Sequence, residues 1–117
     1  MQEESTILVA SRDPRLADVR KGVLESAGFH VIPAPDIATV EKACSEHRVR
    51  AVMIGYSLPP AEKRRIWAAA RKTCKAPILE LYQSGTPELL EQNVFAHRAE
   101  TPDDFLEALK KILENRN

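Results

Sequence analysis

The sequence has no net charge, only two cysteines, only four glycines and no long apolar run. Each shortage excludes something. Lysine plus arginine number 17 and aspartate plus glutamate number 17, so no global field steers the chain toward nucleic acid or an anionic membrane. No stretch approaches the ~20 apolar residues that a membrane-crossing helix needs. The start, Met1-Gln2-Glu3-Glu4-Ser5, is acidic and polar and does not read as a secretion signal, which makes the cytoplasm the expected compartment. In a reducing cytoplasm Cys44 and Cys74, each within an apolar helical pattern, are expected as buried free thiols rather than as a disulfide. The loop Ser11-Arg12-Asp13-Pro14 contains no glycine, so the dinucleotide fingerprint is missing and no nucleotide cofactor is expected.

What remains is ordinary and informative. At 117 residues, 44% hydrophobic and 29% charged, the chain reads as one globular domain with a core over about residues 6–114. Thr6-Ile7-Leu8-Val9-Ala10 is a buried strand in pattern. Asp13-Pro14 is a strong helix start, with an inner stripe of Leu16, Val19, Val23, Leu24 and Ala27 and a stop at Gly28. Phe29–Ile32 reads as a second strand, and Asp36 caps a helix through Ile37, Val40 and Cys44. Ala51–Ile54 is a third strand. Pro59-Pro60 opens a helix carrying Ile66, Trp67, Ala70 and Cys74. Ile78–Tyr82 is a fourth strand, Pro87 starts a short helix with Leu89 and Leu90, and Val94–His97 is a fifth strand. Pro102-Asp103-Asp104 opens a last helix through Phe105, Leu109, Ile112 and Leu113. Five strands apolar on both faces, alternating with helices, call for a three-layer α/β/α sandwich. Right-handed crossovers give its parallel sheet the flavodoxin-like order 2-1-3-4-5.

In such a sheet, ligands sit at the carboxyl ends of the strands. Several local matches make the chain resemble a response-regulator receiver (CheY-like) domain from Ile7 to Leu113. Ile7-Leu8-Val9 followed by Asp13-Pro14 resembles the family's first strand and helix start. Leu24-Glu25-Ser26-Ala27-Gly28-Phe29-His30-Val31 resembles its passage into the second strand. Ala51–Ile54 with Leu58-Pro59, and Ala76-Pro77-Ile78-Leu79, resemble its third and fourth strands. The resemblance implies two acidic residues for a divalent cation, an acceptor aspartate, a hydroxyl residue and a lysine, the usual requirements of phosphoryl transfer. At the matching positions stand Ser11 and Arg12, Gly55, Tyr82 and Thr101. Asp13 remains acidic, but its place before Pro14 makes it a helix cap first.

The implied protein is a degenerate receiver, or pseudo-receiver, of a two-component system. It is not an enzyme, holds no metal or cofactor, and acts through a protein partner or a second copy of itself, with no nucleic acid or membrane involved. Two readings of the rim stand side by side: a filled pocket, with Arg12 and Tyr82 in the phosphate's space, or a site fallen out of use. The family commonly docks partners through its fourth helix, fifth strand and fifth helix, which implies an interaction face including Leu89, Phe95, His97, Phe105 and Leu109. One alternative is a phosphorelay receiver with a displaced acceptor, Asp13 or Asp36. Another is a small-ligand or flavin-type domain on the same fold. The histidines His30, His47 and His97 lie on separate elements and read as structural. Glu80, in mid-strand, reads either as paired with an arginine or partly exposed, or as a costly buried carboxylate. Lys63-Arg64-Arg65 with Arg71-Lys72 and Lys75 reads first as a solvated basic face, then as a docking patch for an acidic partner and last as a nucleic-acid contact, and Trp67 reads as core edge before interface anchor.

Overall fold

The computed structural model describes residues 5–83, 85–89, 91, 93–101 and 103–114. Apolar runs become strands and helical stripes become helices in the order β1 (Thr6–Ala10), α1 (Pro14–Ser26), β2 (His30–Ala34), α2 (Ile37–Glu46), β3 (Val49–Ile54), α3 (Pro60–Thr73), β4 (Ile78–Tyr82), β5 (Val94–Arg98) and α4 (Leu106–Glu114). All pairings are parallel, in the order β2-β1-β3-β4-β5. The receiver-type topology expected from the sequence is therefore present. Side chains alternate across the sheet. Leu8, Ala10, Val52, Ile54 and Ile78 pack with α2 and α3. Ile7, Val9, Ala51, Met53, Leu79 and Leu81 pack with α1 and α4.

The caps behave as the sequence implies. The Asp13 carboxylate accepts the Arg15 N–H at 3.0 Å, with Pro14 in the first helical turn. The Asp36 carboxylate accepts the Thr39 N–H at 2.8 Å and its hydroxyl at 2.7 Å. Gly28, at φ +96°, supplies the left-handed turn after α1 that a side chain would strain.

The structure corrects four expectations. First, no helix forms between β4 and β5 among the described residues; Ser84 and Leu90 lie outside them. The backbone N–H groups of Glu88 and Leu89 bond instead to the Glu80 carboxylate, each at 2.9 Å, which ties the segment to β4. The buried Leu89 then packs on the α2/α3 side. Second, Val19 is exposed, and the inward stripe of α1 runs through Arg20 and Leu24. Third, Phe105 precedes α4 rather than lying within it, and Pro102 lies outside the described residues. Fourth, Cys44 and Cys74 are joined in a disulfide, with Cα atoms 4.9 Å apart, linking α2 to the end of α3. Adjacent helices on one face of the sheet bring the two sulfurs together, which the sequence separation does not reveal.

Two solvent-accessible carboxylates, an exposed Asp36 and a half-buried Asp104, give an acid-pH prediction. The Asp36 carboxyl is held below its ordinary value by its hydrogen bonds with Thr39. The Asp104 carboxyl is held low by the Glu100 N–H and by His97, whose ring nitrogen meets it at 3.2 Å. A depressed carboxyl adds stability that is present above its unfolded pKa, about 3.9, and is lost as pH falls through the folded value. The urea midpoint is therefore expected to drop below about pH 4. Asp36→Asn with Asp104→Asn should flatten that drop. An acid limb identical to that of the parent chain would refute the assignment.

Candidate functional site

The carboxyl ends of β1, β3 and β4 meet at one rim, and Gly55 is its centre. Its N–H donates to the Ala10 carbonyl at 3.0 Å, which carries the β1–β3 ladder one step past Ile54. Gly55 is buried, and the space where its side chain would begin is taken: a Cβ there would lie 2.6 Å from Nη1 of Arg20 and 3.3 Å from the Ala10 carbonyl oxygen.

Arg20 reaches this place from α1. It is 0% exposed, its guanidinium carbon lies 5.0 Å from the centre of the Tyr56 ring, and none of its three nitrogens has a hydrogen-bond partner of good geometry among the described residues. Burial lowers the guanidinium's pKa; Tyr56 and Asp13 act in the opposite direction. An arginine nevertheless stays cationic at neutral pH.

The other positions singled out from the sequence are occupied with local tasks. Ser11 is buried, and its hydroxyl bonds the Asp13 backbone, accepting from the N–H at 3.2 Å. Arg12 is mostly exposed and pairs with Glu62 of α3 at 2.9 Å, so it does not fill the pocket. Tyr82 is half-buried and lines a polar hollow of about 200 Å³ with Tyr56, Lys63, Gln83, Thr86 and Glu88. Thr101 is exposed, and its hydroxyl donates to Asp103 at 2.7 Å in the turn before α4.

Beneath that hollow lies a second buried cation. Lys63 of α3, 1% exposed, places its ammonium 3.0 Å from Glu80 Oε2, 2.9 Å from Glu88 Oε1 and 3.3 Å from the Leu81 carbonyl oxygen. An ammonium has three protons, and each has an acceptor. Glu80 is thus a fully buried carboxylate paired with a lysine rather than an arginine, and Lys63 does not belong to the solvated basic face. Arg64, Arg65, Arg71, Lys72 and Lys75 do remain exposed. Trp67 sits at the core edge beneath Arg71, as expected.

These residues do not fit a divalent cation. Hard cations take several oxygen ligands, usually carboxylates. Here the rim offers Ser11, an exposed Arg12, Gly55, a buried guanidinium and a single carboxylate, Asp13, engaged as the cap of α1. No cluster of three or more histidine, cysteine, aspartate or glutamate side chains suited to a metal occurs among the described residues. Of the expected interaction face, Leu89, Phe105 and Leu109 are buried in the core, leaving Phe95 at 44% exposure and a half-buried His97 on the edge strand β5. His30 and His47 are exposed. Arg20 and Lys63 were not singled out as buried groups, although a signal existed. Arg20 sits four residues from both Leu16 and Leu24, and Lys63 three from Ile66, on the inward stripes.

No protein-family model and no curated protein sequence matches this chain. Solved structures do. The chain is similar to a response regulator receiver protein from Sinorhizobium medicae (TM-score 0.78, 21% identity, 98% of each chain covered). It is similar also to the chemotaxis protein CheY4 of Vibrio cholerae (TM-score 0.77, 20% identity, 94% of this chain and 99% of that one). A third is the receiver domain of a Pseudomonas aeruginosa sensor histidine kinase with magnesium coordinated in its active-site cleft (TM-score 0.75, 16% identity, 97% and 100%). The fold is that of CheY-like receiver domains. No helix among the described residues is long and apolar enough to cross a membrane.

Proposed function

We propose that this chain is a receiver-type signalling module that takes up no phosphoryl group and works by contact with another protein or with a second copy of itself in the cytoplasm. The observation that carries the proposal is Gly55 at the end of β3, with the Arg20 guanidinium against the place where an acceptor side chain would start. Phosphoryl transfer to a receiver needs an acceptor oxygen and a cation held by carboxylates, and the rim supplies neither. The alternative acceptors are engaged elsewhere, since Asp13 caps α1 and Asp36 caps α2. The surface best suited to a partner is the edge strand β5. Its outer backbone groups have no neighbouring strand among the described residues, and Phe95 stands exposed on it. The opposite edge, β2, carries Pro33, which blunts pairing there.

The test is a titration of magnesium with beryllofluoride, an acyl-phosphate mimic, into isotope-labelled protein. The backbone amides of Ser11, Gly55 and Tyr82 are expected not to move. Saturable shifts converging on them would mean that an acceptor pocket survives.

A further inference from the structure

A guanidinium with no exposed surface and no well-aligned hydrogen-bond partner among the described residues is a costly arrangement, only partly offset by the Tyr56 side chain, because arginine has five N–H donors to satisfy when buried. Arg20 keeps this arrangement at one particular place. Its Nη1 lies where a side chain at position 55 would have to begin, the Tyr56 ring covers it at 5.0 Å, and the carboxylate of Asp13 at the start of α1 acts on it electrostatically. The stem is aligned by the helix itself, since Leu16, Arg20 and Leu24 follow one another at intervals of four on the inward face of α1.

We infer that Arg20 is a built-in cation that plugs this pocket, and that position 55 is a glycine because the guanidinium occupies its side-chain space. The inference rests on the receiver-type reading of the rim and adds to it a reason for the pocket's closure. In a receiver that binds a divalent ion, the positive charge comes and goes with the metal. Here it is covalently attached and always present, so the rim is held in one electrostatic state. Restoring an aspartate at 55 would then not restore an acceptor. Its carboxylate would meet the guanidinium, whose flexible end must shift to admit it, and would remain paired with it.

Two measurements test this. In the unmodified protein, the Arg20 Nε–H should give a slowly exchanging NMR resonance with nuclear Overhauser contacts to the Gly55 α-protons and the Tyr56 ring. A fast-exchanging, solvent-averaged signal would overturn the inference. In Gly55→Asp, the new carboxyl faces Arg20 from α1, Asp13 at its start, and Tyr56 after β3. Its pKa should rise by at least about two units, a hundredfold change in proton affinity, when Arg20→Met removes the charge but keeps an apolar stem. A change under half a unit would overturn the inference even if the magnesium and beryllofluoride titration is silent. A positive titration of the parent chain, with a protected Arg20 resonance, would instead sink the functional reading alone.

Discussion

Lys63→Met is expected to lower the unfolding free energy by about 3–5 kcal/mol, the range for breaking a buried ion pair by removing one partner. The loss would come from what is left behind. Glu80 is 0% exposed and would keep its two backbone donors, Glu88 and Leu89, but no cation. Methionine retains most of the lysine stem's apolar volume, so lost packing is not the cause. Adding Glu80→Gln should recover a large part of the loss. The amide oxygen can still accept one of the two N–H groups, and no unpaired charge stays in the core. Urea unfolding of the parent, both single variants and the double variant gives the cycle. A loss under about 1 kcal/mol for Lys63→Met, or no recovery in the double variant, would show that the pair does not hold the β4–β5 segment.

That pair also explains where reading the sequence succeeded and where it stopped. The strands were legible because β1 and the Ala51–Ile54 part of β3 are continuous apolar runs, and β4 is one interrupted only by Glu80, the pattern of a sheet covered on both sides. α1 and α2 were legible through Asp13-Pro14 and Asp36. The short helix expected around Pro87 does not appear among the described residues because periodicity over a few residues says nothing about competing acceptors, and the competitor, the Glu80 carboxylate, comes from a strand. The emptiness of the rim was legible at Gly55, a residue type alone. What fills it is not, because Arg12, the arginine of the loop after β1, turns out to Glu62. The arginine that matters, Arg20, lies in the second turn of α1, disguised because charges are ordinarily solvent-facing. The inward helical phase of Arg20 and Lys63 was available, and it outranks residue type when a charge falls on the core stripe. Of the expected interaction face, only Phe95 and His97 reach the surface. Leu89, Phe105 and Leu109 are apolar residues that this chain uses as core.

Breaking the Cys44–Cys74 bond is the other change expected to have a large effect. The bridge closes a loop with a sequence separation of 30, and loop entropy alone assigns about 3–4 kcal/mol to such a cross-link. For a domain of this size that corresponds to a fall in Tm of about 10–15 °C. Melts of the parent chain with and without reductant, beside Cys44→Ala with Cys74→Ala, measure it. Mass spectrometry of the unreduced protein after thiol alkylation counts the free sulfurs. Two alkylated cysteines, or a Tm unmoved by reductant, would mean that α2 and α3 are held by packing alone, as the sequence suggested. The outcome bears on where the module works. In a reducing cytoplasm this bond would ordinarily be open, and the chain would run on the stability of the reduced form. The two faces of the sheet would then differ. The α1/α4 side, with the Arg20 plug, contains no thiol and would be indifferent to redox state. The α2/α3 side, with the Lys63–Glu80 pair and the bridge at the end of α3, would loosen on reduction. Hydrogen exchange of oxidised and reduced protein should therefore separate the two faces, with faster exchange in α2 and the last turn of α3 and little change in α1.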